Sequence, residues 1–363
     1  MRRDLNPELL GDALSWIGDT ALAEQLDAAF TAECVAALQK HISPATAELL
    51  ESIGGGGRHR LVRAPEVTRQ TLFVPTLPPE QIDSFINSLA QVESALDGAG
   101  KRPTEALWSA LGDATVNEDG SARWWPQITG ANPIPLDFGS PWAQRIDLSG
   151  RFEFTAAPRP MLADEEIHAI HARLVEALGL LRQLSPTLPK FVSINTRVLV
   201  LQIDPASPAV ASGSNGRFVG RSFVANPQSA DATIDCLAEA IVHEAIHAMI
   251  YCECLQRPWT DGEAAIELPR VASPWSGRAL PVRPFLEATC VWFGLVHLWT
   301  LALRNELFEP EAARTRLLRS LRGFCRGPLV DRVRPWWPDI RPDVLATVER
   351  LQSRILDAVG DTA

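Results

Sequence analysis

The residues with the clearest chemical potential are two histidines four positions apart, His243 and His247, with Glu244 beside the first. They stand in the apolar stretch AEAIVHEAIHAMIYCECL, residues 238–255. On an α-helix, residues four apart lie on one face, about 6 Å apart along the axis. Two imidazoles so placed can bind one metal ion, and zinc proteases with this HExxH pattern use the glutamate as a general base. The sequence therefore predicts a metal site on this helix.

An alternative is that hydrogen bonds alone satisfy these three side chains in a protein core. Burial of ionisable groups costs several kcal/mol unless they have partners, and a metal ion supplies such a partner. The metal hypothesis is therefore favoured. The longer HExxHxxGxxH pattern is absent, because Ile250 and Glu253 occupy the positions of its glycine and its last histidine.

Two histidines do not complete a metal site, so a third ligand must come from elsewhere in the chain. Glu287 is the preferred ligand, because it opens an apolar helix in the stretch PFLEATCVWFGL. The other explanation for an acidic side chain there is its favourable position near a helix N-terminus. The remaining downstream side chains that could serve as ligands are Glu253, Asp261, Glu263, Glu267 and His297.

The helix that carries the histidines is predicted over residues 231–256 and is apolar on nearly all faces in its middle, which is typical of a buried helix. A second apolar helix is predicted over residues 285–303. Apolar residues at helical spacing predict further helices over 6–40, 79–96, 163–184, 310–325 and 341–358.

Residues 191–204 and 217–226 are predicted as strands because they are rich in β-branched or alternating apolar residues, and residues 151–155 alternate in the same way. Runs of glycine and serine predict a flexible loop at the four glycines, 54–57, and a turn at SGSNG, 212–216. Residues 118–145, rich in tryptophan, proline and glycine, are predicted as an irregular connection.

These elements predict an α+β fold that is mainly helical, with a small β-sheet packed against a buried HExxH helix. We predict two regions: a helical N-terminal region, 1–145, for leader or peptide recognition or scaffolding, and a metal-binding catalytic domain, 146–363. Peptides often bind as an extra strand at a sheet edge, and residues 217–226 are the predicted edge.

The composition indicates a soluble cytoplasmic protein. The net charge of the 363 residues is 34 − 44 = −10, which disfavours binding to nucleic acid. The N-terminal MRRDLNPELL lacks the apolar core of a secretory signal, and the longest apolar run, 290–303, is too short to span a bilayer. Six scattered cysteines without a CxxC pair indicate reduced thiols.

Three segments together resemble a known family. They are NTRVLVLQIDP with the later SGS and VGRSFVANP, then LAEAIVHEAIHAMIY, then SPWSGRALPVRPFLEATCVWFGLVHLW. Their order is similar to the HEXXH-motif domain family found beside genes for ribosomally made, modified peptides. The resemblance covers roughly residues 185–305. Members were first assigned as metallopeptidases and are now associated with iron(II), 2-oxoglutarate and β-hydroxylation of peptide side chains.

The resemblance implies an oxygenase that uses Fe(II), 2-oxoglutarate and O2 to hydroxylate a side-chain β-carbon of a ribosomally synthesised precursor peptide. His243, His247 and Glu287 would form the two-histidine, one-carboxylate iron site. Arg283 or Arg278 would bind the distal carboxylate of 2-oxoglutarate, because a guanidinium pairs with carboxylate bidentately. Glu244 would then orient a ligand or a water instead of acting as a base.

Two other functions fit the same residues. A zinc metallopeptidase would use His243, His247 and Glu287 on zinc, with Glu244 activating the water. A non-catalytic peptide-binding scaffold would keep the helix without an active metal. Iron and zinc sites of this kind use the same ligands, so the sequence leaves the metal, the substrate peptide and the modified residue open.

Overall fold

The computed structural model describes residues 5–73, 75–98, 106–129, 133–143 and 161–360. Helices account for 59% of the chain and strands for 10%, which confirms the predicted α+β, mainly helical fold. The helices are α1 (Pro7–Leu14), α2 (Ala21–Gln39), α3 (Pro44–Ser52), α4 (Gly55–Arg63), α5 (Pro65–Thr71), α6 (Pro79–Leu96), α7 (Asp164–Leu184), α8 (Thr187–Asn195), α9 (Ile234–Gln256), α10 (Val282–Asn305), α11 (Pro310–Leu321) and α12 (Pro342–Gly360).

The strands are short and lie in three small sheets. They are β1 (Leu107–Trp108), β2 (Ala114–Val116), β3 (Ala122–Trp124), β4 (Gln127–Ile128), β5 (Ile134–Asp137), β6 (Val198–Gln202), β7 (Ala211–Ser214), β8 (Arg221–Ala225), β9 (Val271–Ala272) and β10 (Ala279–Leu280). The prediction of an irregular connection over 118–145 is therefore wrong for β3, β4 and β5. The strand predicted at 151–155 lies outside the described residues.

The strand predicted over residues 191–204 is wrong in its first half. Helix α8 continues to Asn195, and β6 begins at Val198. Leu188 and Val192, one helical turn apart, are both fully buried. Packing of this helical face therefore decides the conformation, although the β-branched residues favour a strand.

The flexible loop predicted at the four glycines is also wrong, since α4 begins at Gly55. Glycine costs about 1 kcal/mol relative to alanine inside a helix, so other contacts must stabilise this start. The backbone N–H of Gly54 donates to Asp97 at 2.9 Å. A Cβ on Gly57 would lie 2.7 Å from Cγ2 of Ile53, so a larger residue would clash at this position.

The chain forms two compact units that interleave along the sequence. The first consists of residues 1–26, 178–191 and 249–363, and the second of residues 27–177 and 192–248. The boundary predicted at residue 145 separates two functional regions, not two compact units. It therefore stays a prediction.

The first unit is helical and has α10 at its centre, in contact with α1, α11 and α12. The indole N–H of Trp16 donates to the carbonyl of Gly294 at 2.8 Å, which ties the segment after α1 to the middle of α10. Helix α10 extends beyond the predicted apolar run, and its length and composition would suffice to cross a membrane. However, 67% of its most apolar window is buried in the fold, as in the core helix of a soluble protein.

The second unit contains a five-stranded sheet in the order β4-β5-β6-β8-β7. Strands β5, β6 and β8 are parallel, and β4 and β7 pair antiparallel at the two ends. Strand β8 is thus an interior strand, and the prediction that residues 217–226 form the sheet edge is wrong. The turn predicted at 212–216 is also wrong for its first three residues, which belong to the edge strand β7.

One face of this sheet buries a carboxyl group, that of Asp137 in β5. Its Oδ1 accepts hydrogen bonds from the backbone N–H groups of Gly139 (3.0 Å) and Ser140 (2.9 Å), and its Oδ2 accepts one from the Ser140 hydroxyl (2.5 Å). Burial disfavours the charged form and raises the pKa of Asp137 to about 6, although these hydrogen bonds oppose the rise.

We expect Asp137 to make the protein less stable as the pH rises from about 4 to 7. A carboxyl pKa that is higher in the folded than in the unfolded state means that unfolding releases a proton in this range, so stability falls with pH. The loss is roughly 3 kcal/mol at most, at 1.36 kcal/mol per pKa unit. Urea unfolding of Asp137→Asn at several pH values should show a flatter profile than wild type. The exposed Asp231→Asn is the control, and an unchanged profile in Asp137→Asn would contradict the assignment.

Candidate functional site

The candidate site lies on α9, whose middle is buried apart from the two histidines. From residue 237 to residue 254, every side chain is buried except His243 and His247, which are half-buried. The His243 side chain is 30% exposed, whereas that of Glu244 is 3% exposed. The helix therefore presents two imidazoles and little else of this stretch to solvent.

The two imidazoles lie close enough to share a ligand. Their ring centroids are 5.1 Å apart and their planes are inclined by 49°. This proximity follows from the helical spacing of four residues, as the sequence predicts. Imidazole nitrogens at adjacent helical turns are suitable ligands for iron or zinc, so the pair fits the metal that the sequence implies.

Glu244 is directed toward the edge strand β7. The Ser212 hydroxyl donates to its Oε1 and the Ser214 hydroxyl donates to its Oε2, each at 2.7 Å. Glu244 Oε1 also lies 3.9 Å from Nε2 of His243. Both carboxylate oxygens thus accept a hydrogen bond from β7, which fixes the orientation of Glu244 next to the first histidine.

The SGS triplet explains how β7 makes this contact. Residues two apart on a strand point to the same face, so Ser212 and Ser214 both face α9, and Gly213 faces the other way. A Cβ on Gly213 would lie 2.6 Å from the ring of Phe223 in β8. The absence of a side chain at Gly213 therefore leaves room for the Phe223 ring. Sequence analysis missed the two serines as contacts of Glu244, although their spacing of two was the available signal.

Glu287, the predicted third ligand, lies on α10 in the first unit and is 2% exposed. Its Oε1 lies 3.4 Å from Nε of Arg283, one helical turn earlier. Arg283 also lies 3.4 Å from the exposed Glu267. The structure therefore places together the predicted third ligand and one of the two arginines predicted to bind 2-oxoglutarate.

Arg278, the other predicted arginine, is exposed at the turn between β9 and β10. Its backbone carbonyl accepts from the N–H of Ser273 at 2.8 Å, which closes the turn. Trp275 in the same turn is buried, stacks on Trp292 with ring centroids 5.8 Å apart, and donates its indole N–H to the carbonyl of Ser320. Trp275 is thus a packing residue of the first unit.

The remaining ligand candidates have other environments. Glu253 accepts hydrogen bonds from the indole N–H of Trp259 and from Arg341 (3.1 Å), so its carboxylate belongs to a structural network. Burial and the charges of Arg354 and Arg304 lower the pKa of His297 to about 4, which keeps it neutral near pH 7. The other candidates, Asp261, Glu263 and Glu267, are exposed.

Within the described ranges, no three His, Cys, Asp or Glu side chains form a group that could hold a metal ion. The histidine pair is thus preformed by α9, and Glu287 as the third ligand stays a prediction. Neither a family model nor any curated protein matches this sequence. The family resemblance therefore rests on the quoted motifs alone.

We expect the two serines to stabilise the protein by binding a charged Glu244. Hydrogen bonds to charged groups contribute about 1.5–3 kcal/mol each, so Ser212→Ala and Ser214→Ala should each lower the free energy of unfolding by about that amount. In a Glu244→Gln background the same substitutions should cost less, because the acceptor is neutral. Urea unfolding of the double-mutant cycle measures this difference. Equal costs in both backgrounds would show that the serines act independently of Glu244.

Proposed function

We propose that the protein is an Fe(II)/2-oxoglutarate-dependent oxygenase that hydroxylates the β-carbon of a side chain in a ribosomally made peptide, in the cytoplasm. The observation that carries the proposal is the exposure pattern of α9. His243 and His247 are the two half-buried residues in its otherwise buried middle, while Glu244 is held against β7. Such a histidine pair suits a metal, and the family resemblance implies that this metal is iron.

In this proposal His243 and His247, as neutral imidazoles, hold the iron, and the predicted Glu287 supplies the carboxylate ligand. Bound Fe(II) with 2-oxoglutarate supplies the activation of O2 and the oxidising equivalent for hydroxylation. Arg283 or Arg278 holds the distal carboxylate of 2-oxoglutarate through its guanidinium. Glu244 keeps the first histidine and its helix in place through the two serine hydroxyls.

The peptide would add to the edge strand β7 instead of the strand expected from the sequence. Strand β7 is the end strand of the sheet, and its residues are half-buried or exposed. An extended peptide can hydrogen-bond to such an edge. This edge also carries the serines that contact Glu244, so a peptide bound there would lie beside the strand that orients the HExxH helix.

The rival function is a zinc peptidase, and the position of Glu244 favours it. Glu244 Oε1 lies 3.9 Å from His243 Nε2, so the carboxylate is near the nitrogen that would bind zinc. A general base must reach a metal-bound water. Against this role, each Glu244 oxygen already accepts a hydrogen bond from a serine.

The first test is anaerobic purification with metal analysis, then titration of the iron-loaded protein with 2-oxoglutarate. We expect a visible charge-transfer band, which His243→Ala and His247→Ala should abolish together with iron retention. The exposed His168→Ala on α7 is the control and should bind iron as wild type does. Tightly held zinc with no response to 2-oxoglutarate would contradict the oxygenase, and cleaved peptides would then be sought.

Glu244→Gln separates the two enzyme classes. A peptidase that loses its general base should lose about 10²–10⁴ in rate. We expect the oxygenase to keep its decarboxylation of 2-oxoglutarate within about tenfold of wild type, because Glu244 only positions α9. Succinate formation and peptide cleavage are both measured, and Glu239→Gln, another buried glutamate of α9, is the matched control. Peptide cleavage without succinate formation in wild type, lost about a thousandfold in Glu244→Gln but not in Glu239→Gln, would favour the base role.

A further inference from the structure

We propose that the first unit carries a docking surface for an acidic segment of the peptide substrate, formed by four arginines around the turn between β9 and β10. They are Arg278 in the turn itself and, from later in the chain, Arg322, Arg326 and Arg332. We call these four residues the arginine surface. The inference deepens the proposed function by naming the chemistry of the bound peptide, and it rests on that function for the role of the peptide as substrate.

The arginine surface draws most of its residues from a basic segment of an acidic chain. Residues 314–334 contain seven arginines and one aspartate, a net charge of 7 − 1 = +6, whereas the whole chain carries −10. The charge of the chain is therefore distributed unevenly, with the positive part concentrated in this segment. Partners dock so that their charges complement such a distribution, so a negatively charged partner is favoured here.

Backbone carbonyls hold two of the four guanidinium groups against the turn. Nη1 of Arg326 donates to the carbonyl of Pro274 at 3.1 Å, and Nη1 of Arg332 donates to the carbonyl of Ala272 at 3.4 Å. Nη2 of Arg332 also donates to the carbonyl of Arg326 at 2.9 Å, so the two arginines are neighbours. These acceptors are neutral, so they orient the guanidinium groups without neutralising their charge.

The turn packs on the segment that carries Arg322. The indole of Trp275 occupies the space beside Gly323, where any Cβ would overlap its ring, and its N–H donates to the carbonyl of Ser320 at 2.8 Å. Arg322 is next to Gly323 in sequence, and Arg278 belongs to the same turn as Trp275. The packing of this one tryptophan therefore brings the turn and the end of α11 together, with an arginine on each.

Within the residues that the structure describes, no carboxylate is bonded to any member of the arginine surface. Asp331, next to Arg332 in sequence, is bonded instead to Arg334 at 2.6 Å. Arg332 is half-buried and the other three members are exposed, so a partner can reach their N–H groups. Each guanidinium has five donors, and a carboxylate can accept two of them side by side. The surface therefore presents positive charge that an acidic partner can match.

The limited extent of the positive charge favours a peptide over a nucleic acid or a bilayer. Both of these are large polyanions, and the chain outside residues 314–334 has a net charge of −10 − 6 = −16, which repels them. A helix that binds a membrane surface also needs a broad exposed apolar face. Of the leucines of α11, Leu318 is exposed, while Leu317 and Leu321 are half-buried. A short acidic segment fits the surface better.

The arginine surface leads into the helix that carries the predicted third ligand. Strand β10 follows Arg278 directly, and α10 begins two residues after β10 ends. From Arg278 to Glu287 the chain spans roughly 20 Å at most, which about six residues of extended peptide also span. A peptide anchored by its acidic segment can therefore extend toward Glu287. This assignment gives Arg278 to the peptide and leaves Arg283, which contacts Glu287, for 2-oxoglutarate.

The test is fluorescence anisotropy of dye-labelled peptides with the metal-free full-length chain. The acidic probe is Ala-Glu-Glu-Ala-Glu-Glu-Ala, blocked at both ends, and the neutral probe has glutamine in place of each glutamate. We expect the acidic probe to bind at least tenfold more tightly than the neutral one at 50 mM NaCl. The difference should shrink at 300 mM NaCl, because salt screens exposed charges. If the acidic probe does not bind, or if both probes bind alike, the proposal is wrong.

Matched variants tie the binding to the arginine surface. An exposed ion pair contributes about two- to fivefold in affinity, so Arg326→Gln with Arg332→Gln should weaken the acidic probe at least fourfold. The control removes the same charge from two exposed arginines elsewhere, Arg58→Gln with Arg182→Gln, and should change binding less than twofold. Equal losses in the two double variants would overturn the proposal. If the first does not fold, Arg322→Gln decides, and unchanged binding there would overturn it.

Two competitors test the class of partner. They are vesicles of phosphatidylserine and phosphatidylcholine and a duplex DNA, each added at the same concentration of negative charge as the acidic probe. We expect the probe to stay bound, and its displacement by either competitor would overturn the assignment to a peptide. Binding is measured without iron or 2-oxoglutarate, so the iron titration can fail while the probe binds, and the reverse outcome refutes the docking surface alone.

Discussion

The contact on which the candidate site depends is the pair of hydrogen bonds from β7 to Glu244. A buried carboxylate is tolerated only when donors compensate for the lost water. Here the two donors come from alternate residues of one strand, so the carboxylate fixes the strand and the helix to each other. Because His243 is next to Glu244 on the same helix, its position is fixed as well. A site whose ligands stand on a rigid helix gains precision that a loop would not provide.

Other buried carboxyl groups in the molecule are also held by hydrogen-bond donors. Asp137 is buried with three hydrogen-bond donors, and burial still raises its pKa. Glu253 is held by Trp259 and Arg341, and burial raises its pKa as well. These carboxylates connect loops and helices, whereas Glu244 lies beside a half-exposed histidine. Buried acids alone are structural features in this fold. The candidate site is distinguished by the pair of solvent-facing imidazoles that accompanies its buried acid.

The sequence predicted most helices well because their apolar residues recur at helical spacing, as in α6 and α7. It failed where packing overrides local preference. Residues 191–195 have strand-forming side chains but pack as a helix. The glycines before Arg58 start a helix, and Gly54, which precedes it, donates its N–H to Asp97. Strand β7 was missed because glycine disfavours strands and the SGSNG stretch is typical of a turn. The histidine pair was predictable from spacing alone, but the serines that orient Glu244 come from thirty residues away and depend on the fold.

The short length and small side chains of β7 affect the behaviour of the protein in solution. An end strand with small side chains offers its backbone N–H and C=O groups to any extended chain, which includes a second copy of the protein. Natural sheets reduce such self-association by keeping edge strands short. Strand β7 has four residues, and Gly213 cannot be replaced by a bulky or charged guard residue without displacing Phe223. The short length of β7 is therefore the feature that protects this edge against aggregation.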